Sequence, residues 1–144
     1  MTTFVRLAQP SDASAMHDIR MSVRENRLSR PDIISEASYQ PYIESSSCWV
    51  AVTENRIAGF AALDIADSTV WALFVAPDLE GCGIGKTLHE TLVFEAAAAG
   101  LKNIRLVTET GSRAAGFYEA VGWKHVGQVE GTREEIYDLN LVPV

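Results

Sequence analysis

Cysteine is scarce in this chain: 144 residues contain only Cys48 and Cys82. Two such distant thiols make neither a disulfide framework nor a Cys-rich metal site, and they fit a reducing, cytoplasmic setting. Histidine is scarce too. His17, His89 and His125 are scattered without the spacing of metal ligands, so no metal is expected. There is no run of about 18 apolar residues, which excludes a membrane-spanning helix. The opening "MTTFVRLAQPSD" has no basic segment leading into a long apolar stretch, so no secretory signal is expected. Positive charge is in deficit, with 12 Lys and Arg against 19 Asp and Glu. The net charge of −7 argues against binding nucleic acid through its phosphates. No repeat, low-complexity tract or linker interrupts the chain. Its 47% hydrophobic content supports a packed core. The expectation is a single domain over residues 1–144.

The elements alternate in type. "FVRLA" (4–8) reads as a strand. Ser11 or Asp12 caps a helix whose buried stripe is Met16, Ile19 and Val23. "SEASYQPYIES" (35–45) reads as an irregular second helix, bent near Pro41. Residues 48–54 and 57–66 form strands joined at "NR", and "TVWALFVAP" (69–77) is apolar enough to be buried on both faces. A helix then runs to about Ala99, closed by Gly100. A strand at 103–109, a helix at 112–121 ending before Gly122, and a closing hairpin complete the chain. The order β-α-α-β-β-β-α-β-α-β-β predicts a mixed α/β fold with a parallel crossover over 69–109.

Between the strand at 69–77 and its helix lies "LEGCGIGKTL" (79–88), with glycine at 81, 83 and 85. Ile84, Leu88 and Leu92 recur every four residues, so the helix starts inside the loop. Unpaired amides and the positive end of the helix dipole then share one direction, which suits a phosphate. The nucleotide-binding P-loop pattern fails, because its first glycine would fall on Glu80. The dinucleotide pattern fails as well, with Lys86 or Leu88 at its third glycine.

Glu80-Gly81-Cys82-Gly83-Ile84-Gly85 instead resembles the acyl-CoA loop of the GNAT (GCN5-related N-acetyltransferase) family, [RQ]-x-x-G-x-[GA]. Glu80 departs from the usual Arg or Gln. Independently, "RAAGFYEAVGW" (113–123) is similar to that family's A-x-x-[FL]-Y-x-x-x-G-[FW] helix, through Ala114, Phe117, Tyr118, Gly122 and Trp123. The resemblance implies a sheet splayed between the strands 69–77 and 103–109, with acetyl-CoA as co-substrate in the gap.

It also implies roles. The amides of Gly81, Cys82, Gly83, Ile84, Gly85 and Lys86 would hold the pyrophosphate, with Lys86 and Arg113 neutralising phosphate charge. A backbone N–H of Phe74 or Val75 would face the developing oxyanion. Tyr118 would protonate the leaving thiolate. With a tyrosine near 10 and a thiol near 8.5, that transfer is uphill by about 2 kcal/mol. The strand before the loop lacks an acid, so Glu109 is the first substitute as general base, ahead of Glu25, Asp64 or a water chain. Cys82 should face phosphate and not carry the acyl group. His89 is expected at the surface. The acceptor would be an amine of a small molecule or peptide, met by the first two helices with Arg20, Arg24, Glu25, Asn26 and Arg27; a homodimer is allowed. A non-catalytic acyl-CoA sensor and a P-loop phosphotransferase are the rival classes.

Overall fold

The computed structural model describes residues 2–23 and 34–141. Arg24, Glu25, Asn26 and Arg27, expected near the acceptor, lie outside the described residues.

β1 (Thr3–Leu7) leads through a tight turn into α1 (Ala13–Ser22). A 3-10 turn at Glu36–Tyr39 continues into α2 (Gln40–Glu44). Pro41 sits in the first turn of α2, where its missing N–H costs nothing, so it starts this helix and does not bend it. β2 (Cys48–Thr53), β3 (Arg56–Asp64) and β4 (Thr69–Val75) form a meander, antiparallel to one another and to β1. α3 (Ile84–Ala98) follows the glycine loop. Gly100, at φ 87°, closes it: the Gly100 N–H donates to the Ala97 carbonyl and the Leu101 N–H to the Ala96 carbonyl. β5 (Asn103–Glu109), α4 (Arg113–Ala120), β6 (Lys124–Gln128) and β7 (Glu134–Asn140) complete the fold. The sheet order is β1-β2-β3-β4-β5-β7-β6, and β4 and β5 are parallel. The mixed α/β class and the expected element order are thus observed.

Two cores flank the sheet. One packs Leu88, Leu92 and Ala96 of α3, and Ala115 and Tyr118 of α4, against Leu63, Ile104 and Leu106. The other packs Met16 and Ile19 of α1 and Tyr39 against Val50, Phe60 and Ala72. β4 serves both cores. Its register with β3 slips between Ala62–Ala72 and Leu63–Val70, leaving Trp71 as an extra residue. Trp71, Ala72 and Phe74 consequently face the α1 side, and Val70, Leu73 and Val75 face α3.

β4 corrects one expectation. It is only half-buried apart from Ala72, because it loses its neighbour: β4 and β5 share a single rung, Thr69 opposite Arg105. Beyond that rung the strands diverge and the sheet is open, which is the expected splay.

Candidate active site

The site grows out of that opening. Antiparallel alternation decides which β4 amides face it. The Ala76 amide donates to the Ala58 carbonyl at 2.8 Å, making this a hydrogen-bonded pair; Phe60–Phe74 is the next such pair, two residues on. Phe74 therefore turns its N–H toward β3. Val75, between the two, turns its own toward the gap. Of the two amides named from the sequence, the register turns only that of Val75 toward the gap.

The glycine loop closes the gap at its C-terminal end. Gly81 and Gly83 adopt φ of 81° and 83°, the left-handed region that glycine enters without penalty. Gly83 is the N-cap of α3, and a Cβ built there would meet nothing within 4 Å, so the cradle is open. Among the described residues, no amide from Gly81 to Lys86 donates to a backbone carbonyl. Six consecutive donors at the positive end of a 15-residue helix fit a pyrophosphate. Gly59 explains how α3 comes so near the sheet. A Cβ there would lie 2.7 Å from the Phe74 carbonyl oxygen and 3.0 Å from Leu88 Cδ1.

Loop, splayed strand and α4 enclose a cavity of about 290 Å³. Its wall brings together Phe74, Val75, Gly81, Gly83, Ile84, Gly85, Lys86, Arg113 and Tyr118. Val23, at the end of α1, lines it from the other side of the sheet. Cys82 is exposed and does not line it. Glu109 ends β5 opposite Glu134 and does not line it either. Leu79 and Phe117 also line it, and neither was expected there, although Phe117 stands inside the quoted helix motif.

α4 is started by Ser112, whose hydroxyl accepts from the Ala115 amide at 3.1 Å. That start directs Tyr118, two turns on, into the cavity wall, where only 6% of the residue is exposed. Phe117 and Trp123 pack edge-on against its ring at 5.4 and 5.6 Å. Burial pushes the phenol well above its ordinary value, so Tyr118 stays protonated at neutral pH. Proton transfer to a thiolate is then more uphill than unperturbed groups suggest, unless the same dry surroundings raise the thiol alongside.

Glu80, where the motif expects Arg or Gln, reaches across the loop to Arg113, with Oε2 3.5 Å from Nε. His89 corrects the sequence reading. It is buried at 7% exposure and its Nε2 accepts from the Trp123 indole N–H at 2.9 Å. Its position beside Leu88 on the buried stripe of α3 was the available signal.

Among the described residues, no group of three or more His, Cys, Asp or Glu side chains could hold a metal. Among the described residues, no helix is long and apolar enough to cross a membrane.

A family profile described as an acetyltransferase (GNAT) domain matches residues 44–125. A peptidyl-lysine N-acetyltransferase of Escherichia coli is 32% identical over 126 residues, covering 87% of this chain and 74% of that protein. A chloroplastic serotonin N-acetyltransferase of rice is 31% identical over 117 residues, 78% of this chain and 56% of that protein. An acetyltransferase of Salmonella typhimurium, solved with its cofactor acetyl-CoA, superposes with a TM-score of 0.79 at 18% identity, over 99% of this chain and 95% of that one. The protein thus belongs to the GNAT family and is an acetyl-CoA-dependent N-acetyltransferase.

Proposed function

We propose that the protein moves an acetyl group directly from acetyl-CoA to a primary amine of a peptide or small molecule. Bound acetyl-CoA would supply an activated acyl group as its thioester. The amides of residues 81–86 would bind the pyrophosphate, assisted by Lys86 and by Arg113 once Glu80 yields it. The Val75 N–H would donate to the oxygen on which negative charge develops, a contribution worth about 3 kcal/mol in related chemistry. Tyr118 would hold the proton needed by the departing sulfur. For the acceptor's own proton the proposal keeps Glu109. It stands outside the cavity wall, so its path to the amine runs through water.

One observation carries this reading: Val75, Tyr118 and the glycine loop line a single cavity. The relatives leave the acceptor broad, since one is named for a peptide lysine and the other for serotonin. The test is thiol release from acetyl-CoA against a panel of lysine peptides, peptide N-termini and small aryl and alkyl amines, with mass spectrometry of the products. Amine-dependent release with an acetylated amine supports direct transfer. Tight acetyl-CoA binding without turnover of any amine would instead indicate a sensor.

A further inference from the structure

Arg20 stands close to the cavity wall, and the proposed mechanism gives it no role. It lies on α1, three residues before the cavity-lining Val23. Its guanidinium carbon sits 4.8 Å from the ring centre of Trp71 and 4.9 Å from that of Phe74. Phe74 is itself part of the cavity wall and neighbours Val75. The bulge in β4 makes this arrangement, since it brings Trp71 onto the same side as Phe74.

The rings below Arg20 are held firmly. Tyr42 stacks on Trp71 at 4.5 Å, and Tyr39 meets Trp71 edge-on at 5.3 Å. The Tyr39 hydroxyl is shared with His17 Nδ1 at 3.0 Å and also faces the guanidinium. Flat aromatic faces favour a guanidinium, but they neutralise no charge and accept no N–H in its plane.

Two deficits remain. Nη1 of Arg20 is buried without a hydrogen-bond partner, the only such side-chain nitrogen or oxygen among the described residues. Among the described residues the charge also lacks a counter-ion. Arg6, Arg56, Arg105 and Arg113 each pair with a carboxylate, whereas Arg20 forms no such pair among the described residues. An unpaired, part-buried cation is costly, and a carboxylate answers both deficits at once through in-plane, charge-assisted hydrogen bonds.

Resting on the acetyltransferase reading above, we propose that Arg20 anchors a carboxylate carried by the acceptor. The substrate class is then an amine bearing an acid group. The carboxylate belongs either to a free amino acid or to an acidic side chain beside the amine in a peptide. Phe74 and Trp71 would form the apolar floor between that anchor and the amine.

The test compares matched acceptors differing only in that charge. One arm uses free amino acids against their carboxamides. The other uses lysine peptides with Asp beside the lysine against the same peptides with Asn. Thiol release gives kcat/KM for each. The acid member should be preferred by about tenfold or more in at least one arm, mostly through KM, and the arm that responds identifies the source of the carboxylate. In the amino-acid arm the carboxamide has the less basic amine, so a preference for the acid runs against intrinsic reactivity. Arg20→Met should bring the ratio below about twofold, and Arg20→Lys should restore part of it, as charge without the planar fork does. Acetyl-CoA binding to both variants, read by calorimetry, reports that they are folded. Calorimetric titration of each acid–neutral pair into protein saturated with coenzyme A reads the anchor without turnover. Preferential acid binding with no thiol release in any arm would support the anchor and overturn the transferase reading alone. Equal behaviour of acid and neutral partners in both arms, or a preference that survives in Arg20→Met, would overturn the proposal.

Discussion

The Trp123 indole N–H donates to Nε2 of His89, 34 residues away in sequence, and so ties α3 to the segment that follows α4. This bond fixes His89 as the neutral Nδ1–H tautomer, and burial lowers its proton affinity further. His89→Leu should cost about 1–3 kcal/mol by leaving the indole N–H unsatisfied, while His89→Gln should recover part of it. The unfolded state binds the proton more readily, so stability should be fully present above an ordinary histidine value near 6.5 and fall as pH drops below it. Urea midpoints at pH 7.5 and 5.5 check this: the wild type should lose stability between the two, and His89→Leu should lose less.

Removing the Glu80 carboxylate should tighten coenzyme binding. Glu80 now stands against Arg113, where the phosphates of the coenzyme would compete with it. Glu80→Gln should strengthen acetyl-CoA binding roughly fivefold at low salt, the scale of one nearby charge in water. The gain should shrink in 0.5 M salt. Calorimetry at both ionic strengths decides, and weaker binding by the variant would mean that Glu80 orders the loop instead of opposing the ligand.

Tyr118→Phe keeps the edge-on contacts with Phe117 and Trp123 and removes only the hydroxyl. We expect kcat to fall by roughly 10²-fold with acetyl-CoA affinity unchanged. A rate within twofold of the wild type would move the acid role elsewhere.

Glu109→Gln should lower kcat/KM for the amine about tenfold at neutral pH while leaving acetyl-CoA affinity alone. An unchanged pH–rate profile in this variant would assign the base to water.

All four tyrosines are held protonated by the fold. Burial raises Tyr39 to about 12 and also raises Tyr42 and Tyr118; the hydrogen bond to Glu119 raises Tyr137 to about 12. Burial takes the Cys48 thiol to about 12 as well. Each tyrosine is raised in the folded state, so its stabilisation is complete below the ordinary tyrosine value near 10 and is lost as pH climbs past it, while the contribution of Cys48 begins to be lost from the ordinary thiol value near 8.5. Phenolate absorbance should stay low through pH 10 and then rise together with unfolding seen by circular dichroism. Independent titration of one tyrosine near 10 in folded protein would contradict this.

Much of the cavity wall could be read from the sequence because the loop that closes it is shaped by backbone requirements. The glycines at 81, 83 and 85 announced an open loop and Gly100 a helix end; such requirements are written residue by residue. Tyr118 was legible through its neighbours Phe117, Gly122 and Trp123. His89 was misread although its place on the buried stripe of α3 was legible; what local periodicity does not name is its partner, Trp123. The half-exposure of β4 was missed for a similar reason. Its apolar residues reflect two cores and an open edge, and composition alone cannot tell that edge from a paired one. The bulge at Trp71 and the resulting seat of Arg20 depend on strand register, which a single strand's sequence does not carry.

The single rung between Thr69 and Arg105 has a mechanical consequence. The β1–β4 and β5–β7–β6 halves of the sheet are joined edge to edge at one point, with α3 lying mainly on the β1–β4 half, so the opened edge of β4 behaves as an incomplete seam. Whatever fills that seam contributes to folding as well as to chemistry. At a ligand concentration one hundred times the dissociation constant, the gain is about 2.7 kcal/mol. The urea midpoint of the protein should therefore climb with the concentration of acetyl-CoA, so that loading the seam and holding the two halves of the sheet together are one event.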